Sequence, residues 1–122
     1  AYMQIAAAQA IEHEKAGYYN VGPEESDCVT VGTLASLFCK AWGDGLKWKN
    51  VCEDGPHEAK FLKLDCSHIK CALGWKPCWD IRTAIEKTVE WTRVYAAHGD
   101  IRACMETQIN EFIQMTSEKG QK

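Results

Sequence analysis

The chain has 122 residues, 14 of them basic and 17 acidic for a net charge of −3, and 46% are hydrophobic. Those proportions suit one globular domain with a modest core and exclude a disordered, collagen-like or coiled-coil chain. No apolar run approaches the ~20 residues of a membrane helix, and a mildly acidic chain without a basic block argues against nucleic acid as a partner.

Along the chain, residues 3–15 are Ala-rich and unbroken and predict a first helix. Gly17 ends it, and residues 18–21 (Tyr-Tyr-Asn-Val) then read as a short strand closed by Gly22-Pro23. After a polar loop at 24–28, Thr30 caps a helix whose Val31, Leu34, Ala35, Phe38, Ala41 and Trp42 share one face, stopped by Gly43. Residues 46–51 alternate over their first four positions, as a half-exposed strand does, and residues 61–65 form a second strand candidate after a Gly55-Pro56 loop. Ser67 caps a short helix ended by Gly74. Asp80 caps the longest helix, with Ile81, Ala84, Ile85, Thr88, Val89, Thr92 and Tyr95 as its buried stripe, closed by His98-Gly99. Asp100 caps a final helix with Ile101, Cys104, Met105, Gln108, Ile109 and Phe112 on one face. The expectation is a mixed, helix-rich α/β domain over residues 1–116 with a flexible tail at 117–122.

Seven cysteines, an odd number with no C-x-x-C spacing, read as reduced thiols of a cytoplasmic protein. The opening residues lack the basic head and cleavage pattern of a secretory signal. There is no G-x-G-x-x-G, Walker or H-E-x-x-H motif and no G-x-S-x-G elbow. Cys66, His68, Cys71 and Cys78 offer four candidate ligands, but their spacing matches no common zinc module, so no metal site is assigned. His13, His68 and His98 read as surface or helix-end residues. The loop Asp54-Gly55-Pro56-His57-Glu58 sets an imidazole beside a carboxylate between two strand candidates. Two readings stay open there, a plain polar turn and a ligand-holding loop.

Five segments carry a family resemblance. Tyr19-Asn20-Val21-Gly22-Pro23, Gly55-Pro56-His57-Glu58-Ala59, Leu62-Lys63-Leu64-Asp65-Cys66, Leu73-Gly74-Trp75-Lys76-Pro77 and Glu86-Lys87-Thr88-Val89-Glu90-Trp91 follow the order seen in nucleotide-sugar dehydratases of the extended short-chain dehydrogenase class. The P-H-E-A stretch before L-K-L-D resembles the CDP-glucose 4,6-dehydratases in particular, and nearly the whole chain takes part.

The resemblance covers only the C-terminal part of those enzymes. It implies a substrate-binding portion, without the Rossmann NAD domain, that is inactive alone. It also implies that a parent enzyme with bound NAD takes a hydride from C4, loses water across C5 and C6, and returns the hydride to C6. NAD belongs to that full-length parent and no cofactor is expected here. The family's catalytic Tyr-x-x-x-Lys pair has no matching positions, so no catalytic residue is assigned. His57 and Glu58 become substrate-binding candidates, for a phosphate oxygen and a ribose hydroxyl. The implied partners are a CDP-sugar, the NAD-binding domain of the parent and further copies in a homo-oligomer, with no membrane. A free-standing nucleotide-sugar binding module and a structural or interaction domain are the alternatives.

Overall fold

The computed structural model describes residues 1–51 and 63–119, the last two by their backbone alone. Five helices follow one another: α1 (Tyr2–Ile11), α2 (Val31–Trp42), α3 (Ser67–Leu73), α4 (Ile81–Ala96) and α5 (Ile101–Lys119), with single 3₁₀ turns at His13–Lys15 and Glu25–Asp27. Among the described residues no helix is long and apolar enough to cross a membrane. There is also no strand among them, which overturns the mixed α/β expectation; the described residues are all helical outside their loops.

The physical reason lies in what the extended segments bond to. Residues 18–21 carry no regular secondary structure, and no backbone–backbone hydrogen bond joins them to residues 63–66. Side chains do that work instead, with Asn20 Nδ2 donating to the Asp65 carbonyl at 3.1 Å and His68 Nδ1 paired with the Tyr18 carbonyl at 3.1 Å. In the segment 46–49, which alternates in polarity, Trp48 docks on α2: its indole Nε1 donates to Ser36 Oγ at 2.9 Å. A Cβ on Gly32 would stand 3.2 Å from the Trp48 ring, so the indole sits where α2 has no side chain. A period of two serves a docked extended segment as well as a ladder strand.

The chain divides into two compact units. One comprises Ala1–Cys28 and the described part of His57–Pro77; the other comprises Val29–Pro56 and Cys78–Lys122 as far as they are described. In the first unit, α1 stops at Ile11 rather than running to residue 15, because Glu12 leaves the helical region at φ −119°, ψ 95°. α1 packs against α3, where Ile69 is fully buried and Cys66 nearly so. Cys66, not Ser67, occupies the N-cap of α3. Asp65 Oδ1 accepts the Ser67 N–H at 2.9 Å, meeting one of the helix's orphan donors. Those Ser67 hydrogen bonds hold the Asp65 carboxyl below its usual range. Gly74 ends α3 at φ +60°, a left-handed position that favours glycine.

In the second unit the caps stand where the sequence puts them. Thr30 Oγ1 accepts from Thr33 N at 3.2 Å, Asp80 Oδ1 from Thr83 N at 2.8 Å, and Asp100 Oδ1 from Ala103 N at 2.9 Å. α4 packs on both α2 and α5, with Ile85 and Val89 buried. Of the other stripe positions, Thr88 and Tyr95 are exposed, as are Val31 and Leu34 of α2 and Met105, Ile109 and Phe112 of α5. The Arg93 guanidinium lies 5.3 Å from the centre of the Trp42 ring, donates to the Trp42 carbonyl, and meets Asp44 Oδ2 at 3.3 Å. It thus satisfies a carbonyl at the C-terminus of α2, where a cation is favoured. His98 takes a left-handed φ of +54° between α4 and α5. Gly99 follows it because a Cβ there would come within 3.3 Å of the Val94 carbonyl oxygen.

Candidate functional site

The first unit brings together two of the family-like segments, residues 19–23 and 63–66. Gly22 is what lets them meet, since a Cβ at that position would lie 3.3 Å from Cys66 Sγ. Tyr19 is fixed at both ends: its hydroxyl donates to the Lys15 carbonyl at 2.7 Å, and its ring stacks on His68 with centroids 4.6 Å apart. A carbonyl only accepts, so His68 carries its proton on Nδ1, facing Tyr18. Beside this junction lies a cleft of about 290 Å³ lined by Pro23, Glu25, Cys28, Lys63, Asp65 and Lys70 among others.

Two ion pairs hold the cleft's walls. Lys63 Nζ lies 2.9 Å from Glu25 Oε1, and Lys70 Nζ lies 2.6 Å from Glu24 Oε2. The hydrogen bond from Lys63 lowers the Glu25 carboxyl, and the bond to Glu24 raises the Lys70 ammonium, each relative to its ordinary range. Both lysines therefore already face carboxylates. An anion entering this cleft would have to compete with Glu24 and Glu25 for the two lysines.

The two sequence candidates, His57 and Glu58, lie outside the described residues. The charged pairs of the cleft were not foreseen from the sequence, which gave residues 24–28 only as a polar loop. Their partners sit 38 and 46 positions away, beyond any helical spacing rule. Among the described residues no group of three or more His, Cys, Asp or Glu side chains is placed to hold a metal ion, and His68 spends its ring on Tyr18 and Tyr19. Cys28, Cys39, Cys66, Cys71 and Cys104 carry free thiols.

The K-T-V-E-W segment belongs to the second unit and ties helices together. Lys87 bonds both Glu90 and Glu111, joining α4 to α5, and Gln108 Nε2 donates to the Lys87 carbonyl at 3.0 Å and to Glu90 Oε2 at 3.1 Å. Val89 is buried and Trp91 stacks on Tyr95 at 5.4 Å. Those contacts give the segment a packing role.

No protein-family model matches the chain. Among curated proteins it is similar to the CDP-glucose 4,6-dehydratase of Salmonella typhimurium, at 32% identity over 116 residues. That match takes in 93% of this chain and 32% of the relative, so the chain spans about a third of the length of the enzyme it resembles.

Proposed function

We propose that this chain is the substrate-binding portion of a CDP-glucose 4,6-dehydratase. It holds CDP-glucose by its nucleotide diphosphate and turns nothing over alone. The observation that carries this reading is the 32% identity to an enzyme of that name, sustained over nearly the whole chain. The meeting of residues 19–23 with 63–66 beside a polar cleft supports it, because two of the family-like segments lie together rather than scattered.

NAD does not fit the residues of this chain. The sequence has no G-x-G-x-x-G loop, and among the described residues no strand leads into a helix to form the turn that seats a pyrophosphate. Hydride transfer and proton removal are therefore assigned to the remainder of the enzyme. The work assigned here is orientation, which holds the sugar against the reacting groups. His57 and Glu58 are the proposed contacts to a phosphate oxygen and a ribose hydroxyl.

Calorimetric titration of the chain with CDP-glucose tests the reading, with glucose 1-phosphate as a control lacking the nucleotide. Saturable binding of CDP-glucose that His57→Ala or Glu58→Ala weakens roughly ten- to a hundredfold is expected, the worth of one charge-assisted hydrogen bond. No heat and no chemical-shift change at millimolar CDP-glucose would refute it. Formation of the 4-keto product by the chain with NAD alone would refute the division of labour.

A further inference from the structure

We infer that the groove between the C-terminal half of α2 and residues 43–48 binds a small aromatic anion, a planar ring carrying a phosphate or a carboxylate. The groove belongs to the second unit and holds about 540 Å³, a size suited to a small molecule. Ser36, Cys39 and Lys40 line it from α2, and Leu46, Lys47 and Trp48 line it from the segment that follows. The inference is independent of the function proposed above, which assigns its contacts to His57 and Glu58.

Charge sets this groove apart. Among the described residues, Lys15, Lys63, Lys70, Lys87, Arg93 and Arg102 each face a carboxylate. Lys40 and Lys47 make no ion pair there, and no Asp or Glu lines the groove. The one acid in this stretch, Asp44, meets Arg93 at 3.3 Å. The same guanidinium bonds the Trp42 carbonyl and so covers the negative end of α2, which would otherwise repel an anion. In a chain of net charge −3, two lysines on one acid-free groove leave local positive potential for a ligand to neutralise.

The aromatic part of the lining is fixed in advance. Trp48 Nε1 donates to Ser36 Oγ at 2.9 Å, and that hydroxyl donates in turn to the Gly32 carbonyl at 2.8 Å. One edge of the indole sits over Gly32, yet Trp48 stays 47% exposed and Leu46 43%. Gly45 adds no side chain, and a Cβ there would meet nothing within 4 Å. A held ring with open surface offers offset stacking to a second ring at little cost in side-chain entropy. Lysines alone take any anion and an indole alone takes any ring; together they select a molecule that has both.

The test titrates the chain with phenyl phosphate, benzoate, methyl phosphate and phenol while reading the indole N–H resonance of Trp48. Phenyl phosphate or benzoate should shift it saturably, with a dissociation constant near or below about 1 mM, and the tighter of the two names the anionic group. Methyl phosphate and phenol should each bind at least about threefold more weakly, since each lacks one half of the match. Lys40→Gln and Lys47→Gln should each weaken the aromatic anion roughly three- to tenfold at low salt. Trp48→Leu, read by calorimetry, should remove the preference for phenyl phosphate over methyl phosphate. If that variant does not fold, the two phosphates compared on the native chain carry the ring's part. Three results overturn the inference: no shift by either aromatic anion at about ten times that concentration, methyl phosphate binding as well as phenyl phosphate, or both lysine variants binding as the native chain does. Failure of CDP-glucose to bind bears on the function proposed above and leaves these titrations readable.

Discussion

α1, of 10 residues, and α4, of 16, are stabilised in opposite ways. α4 starts on an aspartate cap, buries Ile85 and Val89, and pairs its polar face through Lys87, Glu90 and Arg93. α1 has no side-chain cap, no charge and no buried residue. Helix propensity alone favours α1, with its four alanines, over the β-branched α4. Helices in proteins take most of their stability from tertiary packing, so α4 holds its unit together and α1 depends on what covers it.

The sharpest way to break that contrast is a pair of truncations. Ile85→Ala should cost about 2–4 kcal/mol in chemical denaturation, through lost burial and a residual cavity. Ile11→Ala should stay within about 0.5 kcal/mol, as surface changes do. Comparable losses at the two sites would abolish the distinction. Next in size comes the cap of α2: Thr30→Ala should cost about 1 kcal/mol in the same assay, and restoration by Ser would tie the loss to the hydroxyl.

A pH titration of stability probes the charged side of α4. The hydrogen bond from the Thr83 N–H lowers the Asp80 carboxyl, and the bond from Lys87 lowers that of Glu90. Both contributions are present above the unfolded carboxylate range and disappear as pH falls through the lowered native values. Lys87 is raised, chiefly by Glu111. Its contribution holds below the ordinary lysine range and is lost as pH rises through the raised native value. Thermal melts between pH 7 and 3 should show a declining Tm, with a shallower decline for Asp80→Asn; an unchanged slope would remove Asp80 from the account. The smallest effect is expected at His98, where glycine relieves the left-handed backbone but adds freedom to the unfolded chain. His98→Gly should gain a few tenths to about 1 kcal/mol, and a loss would mean that the imidazole makes contacts of its own.

The sequence was most legible where physics is local. Thr30, Asp80 and Asp100 announce helix starts because a cap needs only an oxygen and the next turn's N–H, and Gly74 and Gly99 mark helix ends for equally local reasons. The extended segments were not legible as what they are. Alternation at 46–49 records a docked Trp48, and at 18–21 the decisive bonds come from Asn20 and His68, which no periodicity reveals. The cleft was half legible: its glycine and motif residues were singled out, but its ion pairs join distant positions. His57 and Glu58 lie outside the described residues and rest on resemblance alone.

The clasp between residues 24–25 and 63–70 also bears on the order in which the molecule assembles. Its ion pairs close loops of 38 and 46 residues, and the entropy of closure has to be met before either pair rewards it. α4 and α5 are joined only by residues 97–100, and the bond from Gln108 to Lys87 spans 21 positions. Proteins rich in such near-neighbour contacts fold faster than those that wait for distant ones. The α4–α5 hairpin is thus the early-forming piece, and the cleft comes into being only once residues 24–25 and 63–70, far apart in the chain, have met.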